Sequence, residues 1–295
     1  MKRLWVILFY TVLSSQNLLP KPVSGEQIIN HSAYSLSYNE EHEQANWVAY
    51  KLTAEKVRGS VKRKDAFRAD PKVKTGSASL DDYRGSGYDR GHLAPAADMK
   101  WSSTAMSESF FMSNMSPQNP GFNRGIWKRL EEHVRNWAID NESIHITTGG
   151  VLKGKLTTIG NNRVSVPSFY YKVILDYKEP EIKGIGFILF NENTKKSLEP
   201  YAVSIDEVEK FTGLDFYYYL PDNIENKVES MVDVSKWSFK SFKGYSSRGE
   251  TSKIFKQAES KLSNAAQCRG ITKKGTRCKR KTRSPSGYCF QHNGN

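Results

Sequence analysis

Alternating apolar and polar residues mark the beginning of a β-rich body. The stretch YSLSYNEEHEQANWVAYKLT alternates and then runs into Trp-Val-Ala-Tyr, which predicts an extended segment entering a sheet. Three later stretches are rich in β-branched and aromatic residues and have Gly, Pro or Asn at their edges: SIHITTGGVL, VSVPSFYYKVILD and IKGIGFILFNE. They predict three central strands of a mainly antiparallel sheet.

Two stretches show helical signals instead. In GIWKRLEEHVRNWAID the apolar residues recur at helical spacing, at Ile126, Leu130, Val134 and Trp137, which predicts an amphipathic helix. In SIDEVEKFTG, Ser204 can cap a helix because Glu207 follows three residues later.

The N-terminus has the pattern of a targeting segment. Two cations precede an apolar run from Leu4 to Leu13, and a polar stretch with small residues follows. The run is shorter than the roughly 20 residues that span a bilayer. Residues 1–25 are therefore predicted to be a signal peptide, cleaved near Gly25, with a secreted or periplasmic product that has no stable membrane association. The folded body is predicted to span residues 32–242.

Composition and charge divide the chain unevenly. With 295 residues and 38% hydrophobic content the chain can bury a large core, and its net charge of +13 favours polyanions or simply a basic surface. Residues 243–267 are Ser- and Lys-rich, which predicts a linker. The tail from residue 268 carries eight Lys or Arg and no acid, so the rest of the chain is only about +5.

The tail contains all three cysteines of the chain. Cys268, Cys278, Cys289 and His292 form the ligand set of a closed tetrahedral zinc site, so residues 268–292 are predicted to bind Zn²⁺. The segment is similar to small modules with three cysteines and one histidine that are appended to bacterial proteins. A disulfide with one thiol left over is the alternative, because export would bring the tail to an oxidising compartment.

Candidate chemistry lies in two neighbouring stretches, GSGYDRGHLAPAADMKWS and FFMSNMSPQNPGFNRGIWKRLEEHVR. Asn123, Trp127, Glu131 and Arg135 recur every four residues, so on a helix they form one ridge. An amide, a carboxylate and a guanidinium suit phosphodiester hydrolysis, which needs oxygen ligands for a divalent cation and a positive charge for the phosphate. His92 can act as the general base near neutral pH.

These motifs resemble the DNA/RNA non-specific endonuclease family. The likeness runs from about Tyr34 to Leu220 and includes GSGYDRGH, PQNPGFNRGIWKRLE and FTGLDFYYYL in order. It implies an α+β fold in which a mainly antiparallel sheet lies between helices, with a ββα-metal motif at the active site. The implied activity is hydrolysis of DNA and RNA with little sequence preference.

The resemblance also implies roles for individual residues. His92 would be the general base, and Asn123 would be the single direct protein ligand of Mg²⁺, or of Mn²⁺. Glu131 would hold one of the waters of that ion in place. Arg90 and Arg135 would contact phosphates.

Three further expectations follow from the resemblance. Asn114 would shape the strand that faces His92. A phosphate-binding arginine that some members carry upstream has no clean counterpart, so Arg63, Lys64 and Arg68 are candidates, with Arg63 preferred. Some members are dimers, which leaves a homodimer as an open expectation.

Simpler interpretations exist for each of these residues. Alone, His92 suits a structural histidine, Asn123 a helix cap, and Glu131 with Arg135 an ordinary surface pair at i and i+4. At the level of function, the alternatives are a secreted nucleic-acid-binding protein built on a nuclease scaffold, or a toxin or defence nuclease.

Overall fold

A computed structural model describes residues 18–239 and the short strand pair 266–267 and 281–282. The strands are β1 (Gln27–Asn30), β2 (Ser35–Asn39), β3 (Gln44–Thr53), β4 (Asp89–His92), β5 (Met115–Gln118), β6 (Ser143–Gly150), β7 (Thr157–Ile159), β8 (Val164–Val166), β9 (Phe169–Asp176), β10 (Lys183–Phe190), β11 (Ala202–Val203), β12 (Ala266–Gln267) and β13 (Lys281–Thr282). The helices are α1 (Ala54–Val57), α2 (Leu80–Tyr83), α3 (Ser103–Glu108), α4 (Pro120–Phe122), α5 (Lys128–Asp140), α6 (Ile205–Thr212) and α7 (Asp222–Ser230).

Seven strands form the main sheet in the order β1-β2-β3-β6-β9-β10-β11, and every neighbouring pair is antiparallel. The three predicted strands are β6, β9 and β10, which lie side by side within it. Each is buried along almost its whole length. Sheets covered on both faces read as continuous apolar runs, which is the pattern that these stretches have.

Helices cover the two faces of the sheet. On one face, α5 packs Leu130, Val134 and Trp137 against apolar side chains of β3, β6, β9 and β10. On the other face, α6 and α7 pack Ile205 and Val228 against β9 and β10. The α+β class and the antiparallel sheet flanked by helices are therefore confirmed.

The structure subdivides two of the predicted segments. The first alternating stretch forms a hairpin, β2 and β3, because residues 40–43 form a turn. VSVPSFYYKVILD breaks at Pro167 into β8, which pairs with β7, and β9 of the main sheet. Proline has no N–H to donate to a strand ladder, which accounts for the break.

The predicted helix at residues 204–213 is present as α6. Ser204 accepts a hydrogen bond from the Glu207 N–H, and the Glu207 side chain accepts one from the Ser204 N–H. The helix ends at Gly213, whose φ of 76° favours glycine.

The fold begins earlier than the predicted start of the body at Ser32. Strand β1 covers residues 27–30, and Leu18 is only 4% exposed, packed among apolar residues such as Trp47 and Val173. The Lys21 N–H also donates to the Asp215 carbonyl at 2.8 Å. Cleavage near Gly25 would remove the contacts of Leu18 and Lys21 with the folded body, so we expect any processing site to precede Leu18.

Other predictions fall outside the described residues. The apolar run of the predicted signal peptide, most of the predicted linker and all four zinc-ligand candidates in the tail lie there. The short strands β12 and β13, which pair antiparallel, are described. Within residues 18–239, no helix is both long and apolar enough to cross a bilayer.

We predict that Leu18→Ala destabilises the protein by about 2 kcal/mol, because a buried leucine is replaced by a cavity. Val23→Ala is the matched control, since Val23 is 58% exposed and its truncation should change stability little. Urea unfolding of both variants measures the difference. Equal stability of the two would show that the segment before β1 is not part of the core.

Candidate active site

A pair of short strands, connected through residues 93–114, carries the DRGH stretch. In it, β4 pairs antiparallel with β5, so that Gly91 lies opposite Ser116 and His92 opposite Met115. A Cβ at Gly91 would lie 2.1 Å from the side chain of Gln118, so a larger residue there would have to displace that buried side chain.

Hydrogen bonds attach this strand pair to the main sheet. The Ser116 hydroxyl donates to Gln44 Oε1 at 2.6 Å and lies 2.6 Å from the hydroxyl of Tyr170. Asn191 adds a second attachment, because its side-chain amide donates to the carbonyl of Pro117 at 3.1 Å and accepts from the Asn119 N–H at 2.8 Å.

Asn114 holds the chain immediately after His92. Its amide donates to the carbonyls of Ala94 and Ser109 at 2.9 and 2.8 Å, and its oxygen accepts from the Ala94 N–H at 2.9 Å. The side chain is fully buried. Since its hydrogen-bonding atoms are engaged by the backbone, the structure places Asn114 as a positioning residue and not as a group that reaches substrate.

His92 lies among aromatic rings. Its ring meets Phe110 edge-on at 5.0 Å and lies 5.8 Å from the ring of Phe67. Among residues 18–239, nothing hydrogen-bonds its Nε2. Burial, and then the positive charge of Arg63, lower the pKa of His92 to about 3. The imidazole is therefore neutral near pH 7 and has a lone pair that can take a proton, while the same burial makes it a weak base.

Two arginines flank this group. The guanidinium of Arg90 lies over the ring of Phe67 at 4.5 Å, and that of Arg63 lies over Phe110 at 5.1 Å while donating to Asp65 at 2.7 Å. Both arginines are exposed on the surface beside His92.

The other two upstream candidates are placed differently. Arg68 donates to the carbonyls of Ala66 and Ser107 and stacks on Phe111, which are structural contacts. Lys64 is exposed. Arg63 is thus the candidate whose charge acts on His92.

Asp89 connects strand β4 to the helical turn that begins at Asn123. Its carboxylate accepts a hydrogen bond from Asn123 Nδ2 at 2.8 Å and two from the guanidinium of Arg124, at 2.7 and 2.9 Å. Because the amide nitrogen of Asn123 is engaged, its oxygen is left for another partner. An amide oxygen is a ligand type that Mg²⁺ accepts.

The helix around Asn123 departs from the predicted single helix of residues 125–140. Residues Asn123–Trp127 form a π-helical turn between α4 and α5, and Gly125 has non-helical angles of −105° and −109°. The predicted ridge is therefore broken, and Trp127 is fully buried. The helix cap in this segment is Asn119, whose side chain accepts from the Gly121 N–H at 2.9 Å.

Glu131 and Arg135 follow on α5 and belong to a buried charge cluster. Arg135 donates to Asp98 at 2.9 Å, and the other Asp98 oxygen accepts from the Tyr50 hydroxyl at 2.8 Å. Arg135 thus pairs with Asp98 instead of forming a simple surface pair with Glu131.

Lys172 completes the charge cluster. Its side chain is fully buried on β9, with the ammonium over the ring of Trp127 at 4.6 Å. Burial raises the pKa of Glu131 and lowers the pKa of Lys172, while their mutual attraction opposes both shifts. The two groups therefore depend on each other for their charged forms.

Three of these residues were not predicted. Asp89 and Asp98 act through contacts that cross 34 and 37 residues of sequence, which no local pattern reveals. Lys172 left a signal, because it is a single lysine inside the apolar strand FYYKVILD. Such a cation in a buried strand indicates a buried carboxylate partner.

The chain is similar to known nucleases in sequence and in fold. A family model described as DNA/RNA non-specific endonuclease matches residues 19–223. A mitochondrial nuclease EXOG of Danio rerio is 34% identical over 213 residues, covering 66% of this chain and 62% of the relative, so less than two thirds of that relative is spanned. A nuclease of Nostoc sp. is 34% identical over 215 residues, covering 68% of this chain and 76% of the relative.

A solved structure is also similar. A chain from the crystal structure of an EndoG/EndoGI complex superimposes with a TM-score of 0.65 at 31% identity, covering 70% of this chain and 91% of that chain. This structural match covers nearly the whole of the solved chain.

We predict that Asn114→Ala destabilises the protein by about 3 kcal/mol, because it leaves buried backbone groups of Ala94 and Ser109 without partners. His92→Ala should change stability much less. Urea unfolding distinguishes the two. A stable Asn114→Ala variant would contradict the positioning role.

Proposed function

The chain belongs to the DNA/RNA non-specific endonuclease family, and from this premise we propose that it is a metal-dependent endonuclease that hydrolyses DNA and RNA with little sequence preference. The observation that carries the proposal is the hydrogen bond from Asn123 to Asp89 at 2.8 Å. This bond fixes the helical segment to the strand that bears His92 and leaves the amide oxygen of Asn123 for a cation.

The residues fit a hard divalent cation such as Mg²⁺ or Mn²⁺. Asn123 would supply the direct oxygen ligand. Glu131 lies about two helical turns further along, where the charge of Lys172 opposes the rise that burial causes in the pKa of its carboxyl group. When bound, the cation supplies positive charge that stabilises the phosphate and its leaving oxygen in the transition state.

The chain's own residues supply the remaining chemistry. Neutral His92 takes a proton from a water molecule as the water oxygen bonds to phosphorus, and the bond from phosphorus to the 3′-oxygen breaks. The leaving oxygen takes up a proton from solvent, which yields a 5′-phosphate end. Arg90 and Arg63, on either side of His92, would attract the phosphate oxygens, whose negative charge increases in the transition state.

Low sequence preference has a physical reason in this site. Guanidinium groups beside His92 recognise phosphate, which every nucleotide carries, whereas sequence is read from base edges. Binding through phosphates also weakens steeply as salt rises. Arg135 would act on phosphate less directly than Arg90, since its guanidinium is engaged by Asp98.

Other parts of the proposal rest on the sequence. Export, a Zn²⁺-binding tail that helps to hold nucleic acid, and a homodimer all stay predictions. The rival function is a nucleic-acid-binding protein on a nuclease scaffold. The presence of His92, Asn123 and Glu131 together favours catalysis, because a scaffold that only binds has no need of a base or a metal ligand.

We predict that the purified protein nicks and then degrades supercoiled plasmid with Mg²⁺ and not with EDTA, and that His92→Ala lowers the rate by about 10²- to 10⁴-fold. His145→Ala is the matched control, because burial also lowers the pKa of His145 to about 3 although it lies on β6. DNA affinity should be retained in both. A wild type that binds DNA and RNA but cuts neither, with Mn²⁺ also tested, would support the scaffold function.

We also predict that Asp89→Ala raises the Mg²⁺ concentration for half-maximal cleavage by about 10- to 100-fold, because Asn123 loses the group that orients it. Asn123→Ala should raise it further. Asn162→Ala is the control, since Asn162 makes a similar 2.8 Å bond to a carboxylate, that of Asp82, outside the site. Magnesium titrations of cleavage measure the order. An unchanged requirement in Asn123→Ala would exclude it as the ligand.

A further inference from the structure

A second group of carboxylates lies between α6 and α7, on the face of the sheet opposite α5. Asp206 and Glu209 lie one turn apart on α6, and Glu229 lies on α7. One carboxylate oxygen from each lies within 4.8 Å of the others. None of these residues belongs to the candidate active site.

Glu229 is the unusual member of this group. It is only 6% exposed, and no donor in the described part of the chain reaches its Oε1. A buried carboxylate oxygen without a partner is costly, because burial removes it from water and nothing replaces the lost hydrogen bonds. Glu229 therefore contributes to this group a buried carboxylate that has an unpartnered oxygen.

The surroundings add to the negative charge. Burial, followed by the negative charge of Glu209, raises the pKa of Glu229 to about 9, and burial raises the pKa of Glu209 to about 7. Asp215 and Glu225 contribute to both shifts. Without a cation, the group lowers its repulsion by holding protons.

Nearby positive charge and hydrogen bonds compensate only in part. Lys21 pairs with Asp215 at 3.0 Å, which is outside the group of three. The Phe216 N–H donates to Glu209 Oε1 at 2.6 Å, and this hydrogen bond does not involve the second carboxylate oxygen of Glu209. Oxygen ligands are therefore present on all three side chains.

We propose that Asp206, Glu209 and Glu229 bind a hard divalent cation of the Ca²⁺ type that ties α6 to α7. Calcium takes oxygen ligands at about 2.3–2.6 Å, so oxygens on opposite sides of one ion are about 4.8 Å apart, as this group allows. The carboxylates supply the negative charge, and water fills the other positions. This site is independent of the catalytic site proposed above.

Calcium binding to the purified Asn123→Ala protein tests the proposal, because that background lacks the proposed catalytic ligand. We expect isothermal titration to show one Ca²⁺ per chain and thermal unfolding to shift upward with Ca²⁺. Glu229→Gln should weaken binding at least tenfold and abolish the shift. Asp206→Asn should also weaken binding, and because Asp206 is exposed its loss does not threaten folding.

Glu225→Gln is the matched control. It removes the same charge from the same helix, but its carboxylate is not one of the three. We expect it to bind Ca²⁺ within a few-fold of the parent. Absence of Ca²⁺ binding in the Asn123→Ala protein would overturn the proposal. Equal losses in Glu225→Gln and Glu229→Gln would also overturn it, since they would show unspecific attraction to an acidic surface.

Discussion

The carboxylate of Asp89 is the interaction on which the candidate active site depends. It accepts hydrogen bonds from both Asn123 and Arg124, so one short strand and one helical turn are held at a fixed separation. The backbone ladder of the main sheet does not include β4, which pairs only with β5, so Asp89 adds to the side-chain bonds of Ser116 and Asn191 that attach this strand pair to the sheet. A carboxylate that receives several hydrogen bonds can fix two elements that share no backbone ladder.

The same site is built over buried charge. Asp98 and Lys172 are buried, and Glu131 and Arg135 are half-buried beside them. These two acids and two bases balance in charge when all four are ionised. Each ion depends on the others, since the loss of one leaves a buried charge without a partner. Hydrogen bonds hold Asp98 between Tyr50 and Arg135, whereas the ammonium of Lys172 has no hydrogen-bond partner among the described residues and acts on Glu131 through its charge.

The sequence predicted the elements whose signals are local. The cap at Ser204, the apolar runs of β6, β9 and β10, and the apolar stripe of α5 each lie within one element. The π-helical turn at Asn123 was not predictable in this way. It accompanies the packing of Trp127 and Phe122 against Tyr170, which is far away in the sequence. The motif residues could be listed from the sequence and Lys172 left a local signal, while the long-range partners Asp89 and Asp98 required the fold.

Charge is distributed over the two faces of the sheet in opposite ways. Arg63 and Arg90 are exposed beside His92 on the α5 side, whereas α6, α7 and the segment between them carry Asp206, Asp215, Asp222 and Glu225. A polyanion is attracted to the first surface and repelled by the second, and such a field orients an approaching substrate before contact. The net charge of +13 does not reveal this separation, because it sums both surfaces and the basic tail. A separation of this kind would favour the approach of a polyanion from the His92 side, because the acidic side would repel it.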